Sequence, residues 1–219
     1  MPLDYELEAG QQDRCERKAV YETMKRVMDV GGAIIGLLLL LPILTVAVLL
    51  IKLESPRGQV IFCQTRVGKN GKEFRMFKFR SMVPDAENRL EELLKHNEIQ
   101  GSMFKMKSDP RITGIGRFIR KTSIDELPQL VNVLRGEMSL VGPRPPLPRE
   151  VEQYSNHHKR RLDVIPGCTG LWQVSGRNDL SFEQMVELDL VYIRKRSIWF
   201  DFKILLKTVK VFILPNSAY

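Results

Sequence analysis

From Val30 to Ile51 the chain carries 22 consecutive residues without a charge, most of them Leu, Ile, Val, Ala or Gly. A helix that crosses a bilayer needs about 20 apolar residues, so this run is long enough to do so. It does not read as a cleaved signal peptide, because Asp4, Glu6, Glu8, Asp13 and Glu16 precede it and no small-residue cleavage site follows. Pro42 lies near its middle, where it deletes one backbone hydrogen bond and crowds the preceding turn, so a kink or break is predicted there. Basic residues flank both ends: Arg14, Arg17, Lys18, Lys25 and Arg26 before it, Lys52, Arg57, Arg66, Lys69 and Lys72 after it. The cytoplasmic preference of such flanks applies to both at once. A helix that breaks at Pro42, dips into one leaflet and returns satisfies both. A kinked spanning helix stays open as the alternative, since proline is tolerated in spanning helices.

The remainder has the composition of a single globular domain. Of 219 residues 43% are hydrophobic and 27% charged, which excludes a disordered, collagen-like or many-span chain. The net charge of +8 calls for an anionic partner: a phosphate-bearing small molecule, acidic lipid headgroups or nucleic acid. Nucleic acid is set aside, because no aromatic and basic recognition module is present and the apolar run would have no purpose. Cys15, Cys63 and Cys168 are too few and too scattered for a disulfide framework or a zinc site. His96, His157 and His158 show no ligand spacing, and the last two sit in a polar, basic stretch.

Val60–Arg66 and Glu73–Arg80 read as two strands of a hairpin around Asn70-Gly71, with Lys78 and Arg80 projecting from one face. Asp85–Gly101 reads as an exposed helix without chemistry. A further helix is expected after Lys121-Thr122-Ser123-Ile124-Asp125-Glu126-Leu127-Pro128, with Pro128 in its first turn and a stop at Gly136. Asp125 and Glu126 then fall at a helix start. Ser123 with Glu126 fits a capping box, which would make the carboxylates structural. The same place suits chemistry, because the helix dipole would keep Asp125 ionised and free N–H groups would hold a phosphate. Two loops, Gly142-Pro143-Arg144-Pro145-Pro146 and Pro166-Gly167 through Gly176-Arg177-Asn178, each present an arginine on a turn. Ser181–Gln184 reads as a helix start. Between Ile198 and Leu214 three lysines recur at helical spacing beside Trp199, Phe200 and Phe202, a pattern that suits either the bilayer interface or packing on a core.

Taken in order, the apolar run, Lys78-Phe79-Arg80-Ser81-Met82, Asp125-Glu126-Leu127-Pro128-Gln129-Leu130, Gly142-Pro143-Arg144-Pro145 and Gly176-Arg177-Asn178 resemble the bacterial sugar transferases, the monotopic phosphoglycosyl transferases. The resemblance runs from about Lys25 to Val211. It implies an α+β fold with a membrane-embedded re-entrant N-terminal helix broken near Pro42, a small cytosolic catalytic domain with a β-hairpin, and interfacial amphipathic helices. The implied division is an arm over residues 1–24, the re-entrant helix over 25–53 and the catalytic domain over 54–219. The implied reaction transfers a sugar 1-phosphate from a UDP-sugar to undecaprenyl phosphate and releases UMP, as the first membrane step of a surface glycan. Asp125 would be the nucleophile of a ping-pong mechanism, with Glu126 beside it at a Mg²⁺ site. Lys78, Arg80, Arg120, Arg144 and Arg177 would neutralise phosphate charge. The implied location is the bacterial inner membrane with the catalytic domain on the cytosolic face, among membrane lipids, and a homodimer is compatible with it. The family commonly places Ser before the proline of the helix break, whereas Leu41 stands here. A non-catalytic membrane scaffold that binds acidic lipids is the competing expectation.

Overall fold

The computed structural model describes residues 2–86, 88–93, 95, 106, 108–176 and 180–213, and side chains within them except those of 2–18, 90, 91 and 211–213. One long helix, α1 (Pro2–Glu54), leads into a hairpin of β1 (Ile61–Val67) and β2 (Glu73–Phe79). A short α2 (Leu90–Leu93) precedes α3 (Gly114–Lys121) and α4 (Gln129–Arg135). Then come β3 (Ser139–Val141), α5 (Pro148–Glu152), α6 (Asn156–Lys159), β4 (Gly167–Thr169), α7 (Phe182–Lys195) and α8 (Ile198–Ile213).

The hairpin is antiparallel with Ile61 opposite Phe79 and Val67 opposite Glu73. Asn70 and Gly71 both adopt the left-handed conformation in its loop, as the dipeptide leads one to expect. The second sheet, β3 paired in parallel with β4, was not foreseen. Three-residue strands carry too little alternation to be read. Their pairing brings the two Gly/Pro loops together: Gly142 N–H donates to Thr169 O at 2.9 Å and Gly167 N–H to Pro143 O at 2.8 Å. A Cβ on Gly167 would lie 2.0 Å from Gly142 N, so only glycine permits this approach.

Of the helix expected over Asp85–Gly101, Leu90–Leu93 is helical and most of the rest lies outside the described residues. The expected boundaries of two later helices hold. The α4 helix follows Pro128 and ends at Gly136, whose φ of 78° closes it. Ser181 caps α7 and exchanges bonds with Gln184. The core-packing reading of α8 holds for one of its faces. Asp201 and Ile204 are fully buried, while Trp199, Phe202, Leu206 and Val209 on its other face are exposed.

α1 is helical without interruption through Pro42, so the expected break does not divide it. A proline removes one backbone bond, and the neighbouring turns carry the helix past it. Although Leu41 replaces the family's serine, a hydroxyl is nearby: Thr45 Oγ1 donates to Leu41 O at 2.9 Å. From Ala19 to Glu54 the helix is long and apolar enough to cross a membrane, with a mean hydropathy of 3.1 over its most apolar stretch. Ile35, Leu38, Leu39, Leu41 and Leu49 project from it without protein cover, unlike the side chains of a core helix.

Both flanks of the apolar run are fastened to the same domain. On the N-terminal side Lys25 reaches Asp201 at 2.7 Å, and Arg26 donates to Val133 O and Leu134 O at 2.6 and 2.7 Å. Asp29 accepts from Ser139 Oγ and Leu140 N–H, each at 2.9 Å, and Ala33 packs on Val133 and Met138. On the C-terminal side Ala47 and Ile51 pack on Phe79 and Ile119, and Ile115 N–H donates to Glu54 Oε1 at 3.0 Å.

Candidate active site

The site is built where α3, β2 and α4 converge. Thr113 caps α3 by accepting from Gly116 N–H at 2.9 Å. Gly116 then presses on Ser81, just beyond the end of β2, whose carbonyl oxygen would lie 1.9 Å from any Cβ there. Leaving α3, the chain reverses at Ser123, a non-glycine residue with φ of 53°. Such a conformation costs roughly 1 kcal/mol and is held here by the elements on either side. A 3-10 turn over Ile124–Glu126 follows, and only after Pro128 does α4 begin. The capping-box expectation is therefore corrected: Ser123 makes no side-chain cap, and Glu126 turns its carboxylate elsewhere. Asp125 and Glu126 stand before the helix, in the bend that leads to it.

Glu126 Oε1 accepts from Lys78 Nζ at 2.7 Å, joining the dyad to the hairpin. Lys78 is kept at this depth by Asn132 of α4, fully buried, which accepts from Phe77 N–H at 3.0 Å and donates to Arg75 O at 2.7 Å. The two carboxylates differ in environment. Asp125 is 7% exposed. Burial above all, with the charge of Glu126 adding, pushes its carboxyl up to about 6 against the pull of Lys78 and Arg120. Desolvation works against the ionised form of Asp125 that the helix-dipole argument expects. Glu126 goes the other way, because Lys78 and then Arg144 and Arg66 outweigh its own burial and hold it below the usual range.

Both carboxylates line a cavity of about 810 Å³. Lys78, Arg80, Arg120 and Arg144, singled out from sequence, all reach it, although they come from a strand, a helix and a loop far apart in the chain. Arg177 lies outside the described residues. Arg80 lies against the turn after α1, with its guanidinium on Gly58 and a long contact of 3.4 Å to Ser55 O. The sequence reading missed Arg66, Arg111, Arg149, Trp172 and Gln173, which line the same cavity. Arg66 was visible only as one of many flanking charges, and Arg111 as part of a basic turn. The segment around Ala86, expected to have no role, supplies another part of the wall.

Among the described residues no three His, Cys, Asp or Glu side chains group as a metal cage. Mg²⁺ is commonly held by one or two carboxylates together with substrate phosphates and water. Asp125 and Glu126, adjacent and open to a cation-lined cavity, fit that manner of binding and not an all-protein site.

A family model described as bacterial sugar transferase matches residues 20–215. The galactosyl transferase CpsE of Streptococcus agalactiae serotype III (strain NEM316) is 55% identical over 196 residues, which cover 89% of this chain and 43% of that protein. The undecaprenyl-phosphate galactose phosphotransferase of Salmonella typhimurium (strain LT2) is 46% identical over 200 residues, 90% of this chain and 42% of that one. The exopolysaccharide production protein ExoY of Rhizobium meliloti (strain 1021) is 41% identical over 199 residues, with 89% and 88% covered. The chain thus spans less than half the length of the first two and most of the third.

Proposed function

The chain belongs to the bacterial sugar transferase family, and from that premise we propose that it transfers a sugar 1-phosphate from a UDP-sugar to undecaprenyl phosphate, forming an undecaprenyl-diphosphate sugar and releasing UMP. The observation that carries this reading is the buried Asp125, beside Glu126 and Lys78, at the wall of a cavity lined with arginines. Such a wall suits phosphoryl transfer, which asks chiefly for positioning and charge neutralisation.

In the proposed mechanism an Asp125 carboxylate oxygen attacks the phosphorus that bears the sugar. The bond to UMP breaks and UMP leaves, with the sugar phosphate now esterified to Asp125. An oxygen of the lipid phosphate then attacks that phosphorus and frees the carboxylate, which gives ping-pong kinetics. Lys78, Arg80, Arg120, Arg144 and Arg177 bind phosphate oxygens, and Glu126 holds Lys78 toward them. Asp125 and Glu126 would hold Mg²⁺, which when bound neutralises charge on the phosphate oxygens.

The membrane reading has its own support. α1 would follow a re-entrant course over residues 25–53, bending at Pro42 while staying helical on either side of it, so that both flanks return to the domain over 54–219, as their contacts with it favour. The exposed Trp199, Phe202, Leu206 and Val209 of α8, with Lys203 beside Trp199 at 5.3 Å, would lie in the interface. This seats the site at a bilayer surface, the cytosolic face of the inner membrane, where a lipid and a nucleotide sugar can both reach it.

The test is UMP release by the purified chain with undecaprenyl phosphate, Mg²⁺ and a panel of UDP-sugars, UDP-galactose first, beside Asp125→Asn. Release that needs Asp125 is the expected result. A folded protein that releases UMP from none of the donors would leave the lipid-scaffold reading in its place.

A further inference from the structure

Three arginines are buried among the described residues, and two of them are neutralised: Arg111 by Asp109 at 2.6 Å and Arg161 by Asp189 at 2.6 Å. Arg66, only 5% exposed, forms no ion pair with a carboxylate among the described residues. Its Nε and one terminal nitrogen donate to Gln64 Oε1 at 3.2 and 2.6 Å, and the other terminal nitrogen donates to Pro145 O at 2.9 Å. The planar fork has further N–H groups beyond these three bonds. A neutral amide thus fixes the plane of the guanidinium without cancelling its charge. Burying a cation on such terms is unfavourable unless an anion completes it.

The surroundings indicate where that anion goes. Arg66 lines the main cavity and also a recess of about 20 Å³ that it shares with Lys78, Glu126 and Arg144. Arg144 precedes Pro145, the residue whose carbonyl receives Arg66, and Val67 N–H donates to Pro146 O at 2.9 Å, so strand and loop are laced side by side. Arg144 is half-buried and takes no hydrogen bond or ion pair from the described protein. Burial first, then Arg144 and Arg149, oppose the charge on Arg66, while Glu150 and Glu126 favour it. Glu150, one of whose carboxylate oxygens accepts from Leu147 N–H at 2.8 Å, forms no ion pair with Arg66 among the described residues. Arg120 acts instead on Asp125. The recess that holds Arg66 and Arg144 is lined by Glu126 and not by Asp125.

We propose that Arg66, oriented by Gln64 and paired with Arg144, forms a second phosphate-binding subsite on the Glu126 side of the cavity. The ligand is a phosphate ester oxygen pair, gripped by two guanidinium groups. It belongs either to the nucleotide that leaves or to the lipid phosphate that arrives. This deepens the transfer reaction proposed above and rests on it.

Gln64→Glu tests it most sharply, because a carboxylate at the same place neutralises Arg66 while keeping its bonds. A structural role for Arg66 predicts a variant at least as stable and as active as the parent. The subsite predicts a fold of equal or higher melting temperature with phosphate affinity weakened roughly tenfold or more. Arg144→Gln, which removes no bond within the protein, is the companion should Gln64→Glu fail to fold, and the same weakening is expected of it. Affinity is read on the full chain in lipid nanodiscs with UMP and inorganic pyrophosphate as probes, without turnover. Transfer is read in two arms: UMP release from a UDP-sugar with no acceptor, and discharge of the loaded enzyme to undecaprenyl phosphate. A defect in the first arm assigns the subsite to the nucleotide, and one in the second assigns it to the lipid. Unchanged probe binding and unchanged behaviour in both arms overturns the proposal. Parent protein that binds the probes in a manner sensitive to these variants, yet transfers no sugar phosphate, keeps the subsite and overturns the reaction.

Discussion

Asp125 and Glu126 are neighbours in sequence and opposites in environment. The nucleophile proposed for Asp125 has to be a carboxylate, and burial raises its pKa to about 6. Below that pH the proton must leave before attack, so kcat/KM should fall about tenfold per unit as pH drops below 6 and level off above it. A profile flat down to pH 5 would remove Asp125 from that role. The same shift bears on stability. The folded carboxyl binds its proton more tightly than the unfolded one, whose pKa is near 3.8. Folding stability from this group is therefore greatest below pH 4 and declines as pH rises toward 6. Asp125→Asn should melt higher than the parent at pH 8 while losing about 10³-fold or more in turnover. A mutant that melts lower at pH 8 would contradict the burial argument. None of this was legible from spacing, which pointed to a helix cap; desolvation depends on what α3 and β2 lay over the dyad.

At the level of elements, the site depends on two joints. Asn132 ties α4 to β2 through Phe77 N–H and Arg75 O. Asn132→Ala leaves both backbone groups buried without partners, at about 1–3 kcal/mol each. The expected outcome is a lower denaturation midpoint together with reduced activity, since Lys78 follows Phe77. The second joint is Gly116 against Ser81 O. Gly116→Ala should cost about 1–3 kcal/mol by overpacking and should displace α3 with Arg120, and thermal melting measures the first effect. Proline, glycine and serine signals at Pro128, Gly136, Ser181 and Asn70-Gly71 made most element boundaries readable. The β3–β4 pairing was not readable, because its partners are 28 positions apart in register and only three residues long.

For the whole molecule, the proposed membrane seat turns on how an exposed apolar helix is joined to a basic domain. Arg26, Asp29 and Ala33 before Pro42, and Ala47, Ile51 and Glu54 after it, all contact one body. In a cysteine-free background, single cysteines at Val27 and Leu53, which are 70% and 77% exposed, should react with an impermeant thiol reagent from the same side of sealed vesicles. Reaction from opposite sides would make α1 a span and return the domain's second set of contacts to question.

The sequence by itself determined that a long apolar segment precedes a basic α+β domain, that Asp125 and Glu126 lie close to the start of a helix, and that Arg144 lies on a stiff loop. Those properties follow from local chemistry, the run of uncharged residues and the conformational limits of proline and glycine. Tertiary structure alone decided that Lys78 bonds Glu126 across 48 residues, that Asp125 is desolvated, that Arg66 is buried without a carboxylate, and that α8 shows one face to the core and another to its surroundings. Burial and pairing are set by residues distant in the chain, and no local pattern records who they will be.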